Sequence, residues 1–395
     1  MSTNIPPEAE KSSDFVAKNS SDTKPQNLTR QGSVVAGMTL LSRISGLFRD
    51  IVLSYMFGAS AVADMFFVAF RIPNFFRRLF AEGAFSQAFV PVLMQYKSKG
   101  HNELTYFLAG LSGLFGLVLI GFVALGVIFA SGLTALFAPG FIDQPEQFSA
   151  TTELVRITFP YLGFISLTAF AGSLLNAHNQ FALPAFTPVM LNLCLMIAAM
   201  LALTGWFNVQ PVVMVAWGVM AAGIVQMGIQ LPTLSRMGLL VRPQISTKHP
   251  GVRRVGVLLI PAVLAASVGQ INALVNTALA STLTSGSIAW LYYADRLLEL
   301  PVGLVAVALG TVMLPHLSAM VARGDEESFK ATLSWGVSLG LMLALPAAVA
   351  LYFFAQPLLA VLFMTFSGGA MTVLDIRMSS YALEMFAIAL PGFVV

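Results

Sequence analysis

The chain has 395 residues, of which 57% are hydrophobic and only 10% charged, with a mean hydropathy of +0.81. A soluble domain is about a quarter charged and a little under half apolar, and a soluble monomer of 42.2 kDa could not bury so much apolar surface. A soluble globular enzyme, a disordered chain and a disulfide scaffold are excluded, which leaves a polytopic integral membrane protein, and the spans counted below make its expected fold class all-α. The net charge of +3 matters less than where the 21 basic residues stand.

Residues 1–32 are polar, rich in Pro, Ser and Asn, and of mixed charge. They lack the apolar centre of a cleavable signal peptide and read as a disordered cytoplasmic tail. A membrane span takes about 20 mostly apolar residues. On that measure about ten spans follow, at 33–57, 62–95, 104–135, 152–176, 184–204, 211–234, 255–282, 287–320, 331–354 and 377–395. The polar segment Asn176–Gln180 before Pro184 and the segment Thr204–Asn208 before Pro211 divide the longest uncharged stretch. The spans group as a first lobe, 33–250, and a partial second lobe, 251–395. Cys194, the single cysteine, lies in an apolar run as a small packing residue.

Orientation follows from the basic residues between spans. Lys97 and Lys99 follow span two, Arg236, Arg242, Lys248, Arg253 and Arg254 follow span six, and Arg323 and Lys330 follow span eight. The loops after spans one, three, five and seven have no Lys or Arg. The pattern predicts a cytoplasmic N-terminus.

Spans two and eight share the pattern A-x-R-[IL], later A-[FL]-x-x-x-x-[VL]-P-x-L, then a basic exit ending in Gly. Ala84 and Ala308 stand 224 residues apart, six spans, so two such copies would run in the same direction, as in a two-lobed transporter built from parallel repeats. The chain stops inside an apolar segment at Leu390-Pro391-Gly392-Phe393-Val394-Val395, and the expectation is that it is C-terminally incomplete.

Seven arginines fall inside these spans: Arg43, Arg49, Arg71, Arg77, Arg78, Arg156 and Arg296. Each costs about 2.5–3.5 kcal/mol at the bilayer centre, so such groups face a wet cavity or pair with acids. The acids within spans are Asp50, Asp64, Glu82, Glu153, Asp295 and Glu299. At about 100° per residue, Arg43 shares a helix face with Asp50, Arg78 shares one with Glu82, and Arg296 reaches Glu299. Pro73 is expected to break the second span beside Arg71, Arg77 and Arg78. An excess of arginine suits an anionic ligand, because guanidinium forks bind diphosphate bidentately, whereas a drug cation needs the opposite sign. The four histidines have no metal-ligand spacing, and no phosphate-binding loop or nucleophile motif is present. Nothing in the sequence points to an enzyme. Pairs such as Gly110 and Gly113 read as helix-packing glycines.

Four motifs then carry a resemblance: Ser42-Arg43-x-x-Gly46-x-x-Arg49-Asp50, Ala63-Asp64-x-Phe66-Phe67-Val68-Ala69-Phe70, Pro73-Asn74-x-x-Arg77-Arg78-x-Phe80-Ala81-Glu82-Gly83-Ala84-Phe85-Ser86, and Tyr292-Tyr293-Ala294-Asp295-Arg296-Leu297-x-Glu299. In this order they resemble the MurJ/MviN family, bacterial flippases for lipid II, the undecaprenyl-diphosphate-linked peptidoglycan precursor. The resemblance implies a two-lobed bundle of the multidrug/oligosaccharidyl-lipid/polysaccharide exporter type with 14 helices, of which this chain would supply ten. It implies that Arg43, Arg49, Asp64, Arg77 and Arg296 bind substrate in a central cavity, with Asp50, Arg78, Glu82, Asp295 and Glu299 as a supporting charge network. It further implies a monomer in the bacterial inner membrane, with lipid II and membrane lipids as partners and no nucleic acid. No metal or cofactor is expected, and membrane potential or a monovalent cation is the candidate for coupling. The alternatives are a flippase for another polyprenyl-diphosphate-linked glycan, a cation-coupled drug antiporter, and a non-transporting scaffold.

Overall fold

The first helix opens at Pro25, ahead of the expected start at residue 33, and runs unbroken to Phe57. The computed structural model describes residues 25–80, 84–246, 249–364 and 369–394, and all regular structure among them is helical. The helices are α1 (Pro25–Phe57), α2 (Ala61–Phe80), α3 (Ala84–Ser98), α4 (His101–Ile128), α5 (Ala130–Phe137), α6 (Pro145–Thr158), α7 (Tyr161–Ala177), α8 (Ala182–Thr204), α9 (Pro211–Gly228), α10 (Leu231–Arg236), α11 (Pro250–Ser281), α12 (Ser287–Arg323), α13 (Glu326–Phe353), α14 (Ala355–Phe363) and α15 (Val373–Val394). The part of the tail up to residue 24 lies outside the described residues.

Among the described residues, six segments are long and apolar enough to cross a membrane: His101–Ile128, Pro145–Ala177, Ala182–Thr204, Pro211–Arg236, Pro250–Ser281 and Glu326–Phe353. Helices α1 and α2 are more polar because they carry the charged residues of the candidate site.

Pro73 does not break its helix; α2 continues through it to Phe80. A proline inside a helix has no N–H for the carbonyl four residues earlier, here that of Ala69. The Thr158 hydroxyl on α6 donates to that carbonyl at 2.8 Å, inside a buried contact. The lost bond is replaced across the helix pair, so the helix is not interrupted there.

Helices α1, α2 and α5 to α9 form one bundle, and α12, α13 and α15 pack together as a second. Helix α11, which opens the second half of the chain, packs chiefly on α3 and α2 of the first. Val252 and Val255 enter the same core as Phe85, Phe89, Leu93, Phe107 and Leu174. The segment before α11 is also tied to the first half. The Gln244 N–H donates to the Ala109 carbonyl at 2.8 Å, and its backbone lies where a side chain at Gly113 would have to be. His249 caps α11, its Nδ1 accepting from the Gly251 N–H at 3.1 Å.

The two halves meet between α2 and α12. Phe67 and Tyr292 hold equivalent places in the shared A-x-R pattern, and their rings stack with centroids 3.9 Å apart. The Tyr293 hydroxyl donates to the Gly58 carbonyl at 3.1 Å. The Ala370 N–H, from the segment ahead of α15, donates to the Tyr55 carbonyl at the end of α1 at 2.8 Å.

Candidate functional site

Helices α1, α2, α8, α11 and α12 enclose a cavity of about 340 Å³. Among its lining residues are Arg43, Arg49, Arg71, Arg77, Arg78, Asp295, Arg296 and Glu299. Six of the seven arginines placed in spans by the sequence reading therefore reach one space; Arg156 does not line it.

Asp50 organises one wall. It is fully buried, and a lone carboxylate there would be costly. Its Oδ1 accepts from Arg49 Nε at 2.9 Å, from Arg49 Nη2 at 2.6 Å and from the Tyr292 hydroxyl at 2.8 Å. Arg296 Nε lies 2.7 Å from Oδ2, a charge contact without the alignment of a hydrogen bond. One carboxylate thus joins α1 to α12. Arg49 is held further by Asn192 Oδ1 at 3.1 Å and by the Tyr292 hydroxyl oxygen at 2.8 Å. Asn192 Nδ2 in turn donates to the Ser45 hydroxyl at 2.9 Å and to the Ser42 carbonyl at 3.2 Å.

Arg43 shares a helix face with Asp50 but does not pair with it. Arg49 folds back onto its own neighbour, and Arg43 Nη1 donates instead to the Glu299 main-chain carbonyl at 3.2 Å. The i to i+3 bond from Arg296 Nη1 to Glu299 Oε2 is formed at 2.8 Å. Two glycines make room for these side chains. A Cβ on Gly46 of α1 would meet the Arg296 guanidinium, and one on Gly303 of α12 would meet the Arg43 guanidinium. Each helix thus seats the other's arginine on a bare Cα.

The α2 wall is different. Arg77 Nε donates to Asn74 Oδ1 at 3.0 Å, and Arg71 Nη1 donates to the Thr277 hydroxyl on α11. Arg78 lines the same wall and is exposed. Asp295 faces the cavity too. Glu82, the expected partner of Arg78, lies outside the described residues.

Asp64 does not join the cavity. It is 2% exposed and binds the start of α12, Oδ2 accepting from the Gly286 N–H at 2.6 Å and Oδ1 from the Ala289 N–H at 2.8 Å. The first N–H groups of a helix have no partner within the helix and carry a partial positive charge, so a carboxylate is a natural cap. Gly286 turns with φ 97°, a conformation that favours glycine and aims its N–H at Asp64.

Sequence reasoning missed Tyr292, Asn192 and Thr277 as parts of the site. Tyr292 stood inside a quoted motif, and a single Asn in the apolar run around Cys194 was a weak signal of its own. Arg71 was seen in its span but not assigned to the site.

A family model described as lipid II flippase MurJ matches residues 53–395. The chain belongs to the lipid II flippase MurJ family. It is 43% identical over 385 residues to a probable lipid II flippase MurJ of Vibrio cholerae, covering 94% of this chain and 72% of that protein. A lipid II flippase MurJ of Burkholderia cenocepacia is 41% identical over 374 residues, at 93% and 72% coverage. A solved lipid II flippase MurJ in an inward closed conformation superposes with a TM-score of 0.76 at 30% identity, over 91% of this chain and 73% of that one. An inward-facing multidrug resistance MATE family transporter of the MOP superfamily shares the fold at a TM-score of 0.68 and 15% identity, over 91% and 81%. The MurJ family is one of membrane transporters, not of enzymes, and the all-helical fold of this chain is that of the exporter superfamily.

Proposed function

We propose that this protein moves lipid II across the bacterial inner membrane, from the cytoplasmic to the outer leaflet, with its N-terminus in the cytoplasm. The observation that carries the reading is the cavity: six arginines converge on it against the acids Asp50, Asp295 and Glu299. Charges of this cost are retained inside a membrane protein where they face a ligand or one another. A surplus of guanidinium groups binds diphosphate oxygens in pairs and repels a cationic drug.

Arg43, Arg49, Arg77 and Arg296 are the proposed diphosphate ligands. In the empty cavity Asp50 and Glu299 hold Arg49 and Arg296, keeping the two cations from repelling one another. An arriving diphosphate competes for the same guanidinium groups. The bonds that Asp50 makes between α1 and α12 then weaken, and the two halves are free to reorient around the ligand. Release of the ligand restores the pairs and resets the cavity. Asp64 acts from outside the cavity, by closing the seam between α2 and α12. Membrane potential or a monovalent cation supplies the bias, one charge crossing 100 mV being worth about 2.3 kcal/mol.

The test is export of lipid II in cells depleted of their own flippase. The protein should restore export, and Arg296→Ala should abolish it while the protein remains folded in the membrane. Export retained by Arg296→Ala overturns the reading.

A further inference from the structure

The diphosphate reading leaves part of the cavity's charge without a counterpart. Among the described residues, six arginines stand against three acids, a formal surplus of three positive charges. A diphosphate diester brings about one negative charge per phosphate, so one positive charge is left over.

The arginines differ in how fully they are committed. Arg49 has Asp50, Asn192 and Tyr292, Arg296 has Asp50 and Glu299, and Arg43 has the Glu299 carbonyl. Arg71 is half-buried on the α2 wall; among the described residues no acid lies within ion-pair distance of it, and Asp295 on α12 is the acid whose charge acts on it most. It is held by a neutral group. The Thr277 hydroxyl is fully buried and gives its own proton to the Ala273 carbonyl at 2.8 Å, so it can only accept from Arg71 Nη1. A guanidinium has five donors, and this contact uses one. Gln270, seven residues before Thr277 and so on the same face of α11, also lines the cavity, as does Asn74 one turn along α2.

The wall between α2 and α11 is thus a guanidinium fixed by a neutral hydroxyl and flanked by the Gln270 amide, while the Asn74 amide already donates to the Phe70 carbonyl at 2.7 Å. We infer that Arg71, positioned by Thr277, is a carboxylate subsite, which binds a carboxylate on the peptide of the same head group whose diphosphate the α1 and α12 arginines take. The inference rests on the proposed transport of lipid II. It makes the peptide's charge, and not only the diphosphate, a determinant of which lipid is accepted.

Binding to the purified full chain tests it with three ligands: undecaprenyl diphosphate, lipid II with free peptide carboxylates, and lipid II with those carboxylates amidated. A hydrogen bond to a charged group is worth about 1.5–3 kcal/mol, so Arg71→Gln should weaken the free-carboxylate lipid about tenfold or more. It should leave the other two ligands unchanged, and Arg71→Lys should fall between. Thr277→Val keeps the arginine and removes only its support; it should give a smaller loss with the same ligand pattern, which keeps the test open if Arg71→Gln misfolds. Equal weakening of all three ligands, or no weakening of any, overturns the subsite. Failure of undecaprenyl diphosphate to bind the unaltered protein instead overturns the diphosphate reading, while the difference between the two lipid II forms still reports on Arg71.

Discussion

Asp50 and Asp64 are both buried, both belong to motifs of the same family, and both tie the first half of the chain to α12. Yet they are neutralised differently. Asp50 faces side-chain guanidinium groups beside a cavity, and Asp64 faces the backbone N–H groups of a helix start. A side-chain cation can exchange one anion for another. A helix end held by a carboxylate can only be bound or released. The pair teaches that a buried acid is a part of the ligand chemistry only when its counter-charge can reach the ligand.

Four experiments break or sharpen that contrast. Asp50→Ala strands Arg49 and Arg296 without their shared carboxylate. Removing one partner of a buried pair costs about 3–5 kcal/mol, so a clear fall in thermal midpoint and a loss of lipid II export are expected. Inorganic diphosphate should restore part of the Asp50→Ala midpoint and none of that lost in an Asp64 variant; equal rescue of both would erase the distinction.

Asp64→Asn keeps one acceptor and places an amide donor where the second N–H points. Leaving a buried donor unpaired costs about 1–3 kcal/mol. The expected midpoint shift is smaller, with affinity for undecaprenyl diphosphate nearly intact. Gly303→Ala puts a methyl group into the Arg43 guanidinium, and forced packing of this kind costs about 1–3 kcal/mol. Because Arg43 can swing toward the open cavity, the expected result lies at the low end of that range, with a measurable loss of undecaprenyl diphosphate affinity. A Gly303→Ala protein that binds as tightly as the parent would show that the seat does not position Arg43.

The smallest effect is expected far from the cavity. Burial, with Lys99 acting in the same direction and Glu103 against it, holds His249 below its usual imidazole range. The folded chain therefore binds fewer protons there than the unfolded chain, and stability falls as pH drops below about 6.5. Melting curves from pH 7.5 to 5.5 should show a slope that is shallower in His249→Ser, a neutral cap. An unchanged slope assigns the pH dependence elsewhere.

Much of the helical order was legible because hydropathy and the basic loops are properties of the chain read in one dimension. The bond from Arg296 to Glu299 was legible for the same reason, being set by helical pitch. What pitch could not supply was any partner from another helix. Arg43 shares a face with Asp50, but Asp50 is taken by Arg49 beside it and by Arg296 on α12. Pro73 carried the sign of a break, and only the Thr158 hydroxyl on α6 removes the reason for one. Asp64 looked like a charge among charges; its true neighbour is the backbone at Gly286 and Ala289, which has no signature in side-chain chemistry.

The segment ahead of α11 has one more consequence. Gln244 is bonded to Ala109 and lies over Gly113, and the start of α11 is docked on α3, so the described chain on both sides of residues 247–248 is held to the first half. Any tilt of one half against the other is then taken up by flexing along α11 itself. Pro261, within that helix, removes a backbone donor and lowers the resistance to bending at that level. Helix α11 is thus clamped at its start and weakened partway along, the arrangement of a leaf spring between the halves.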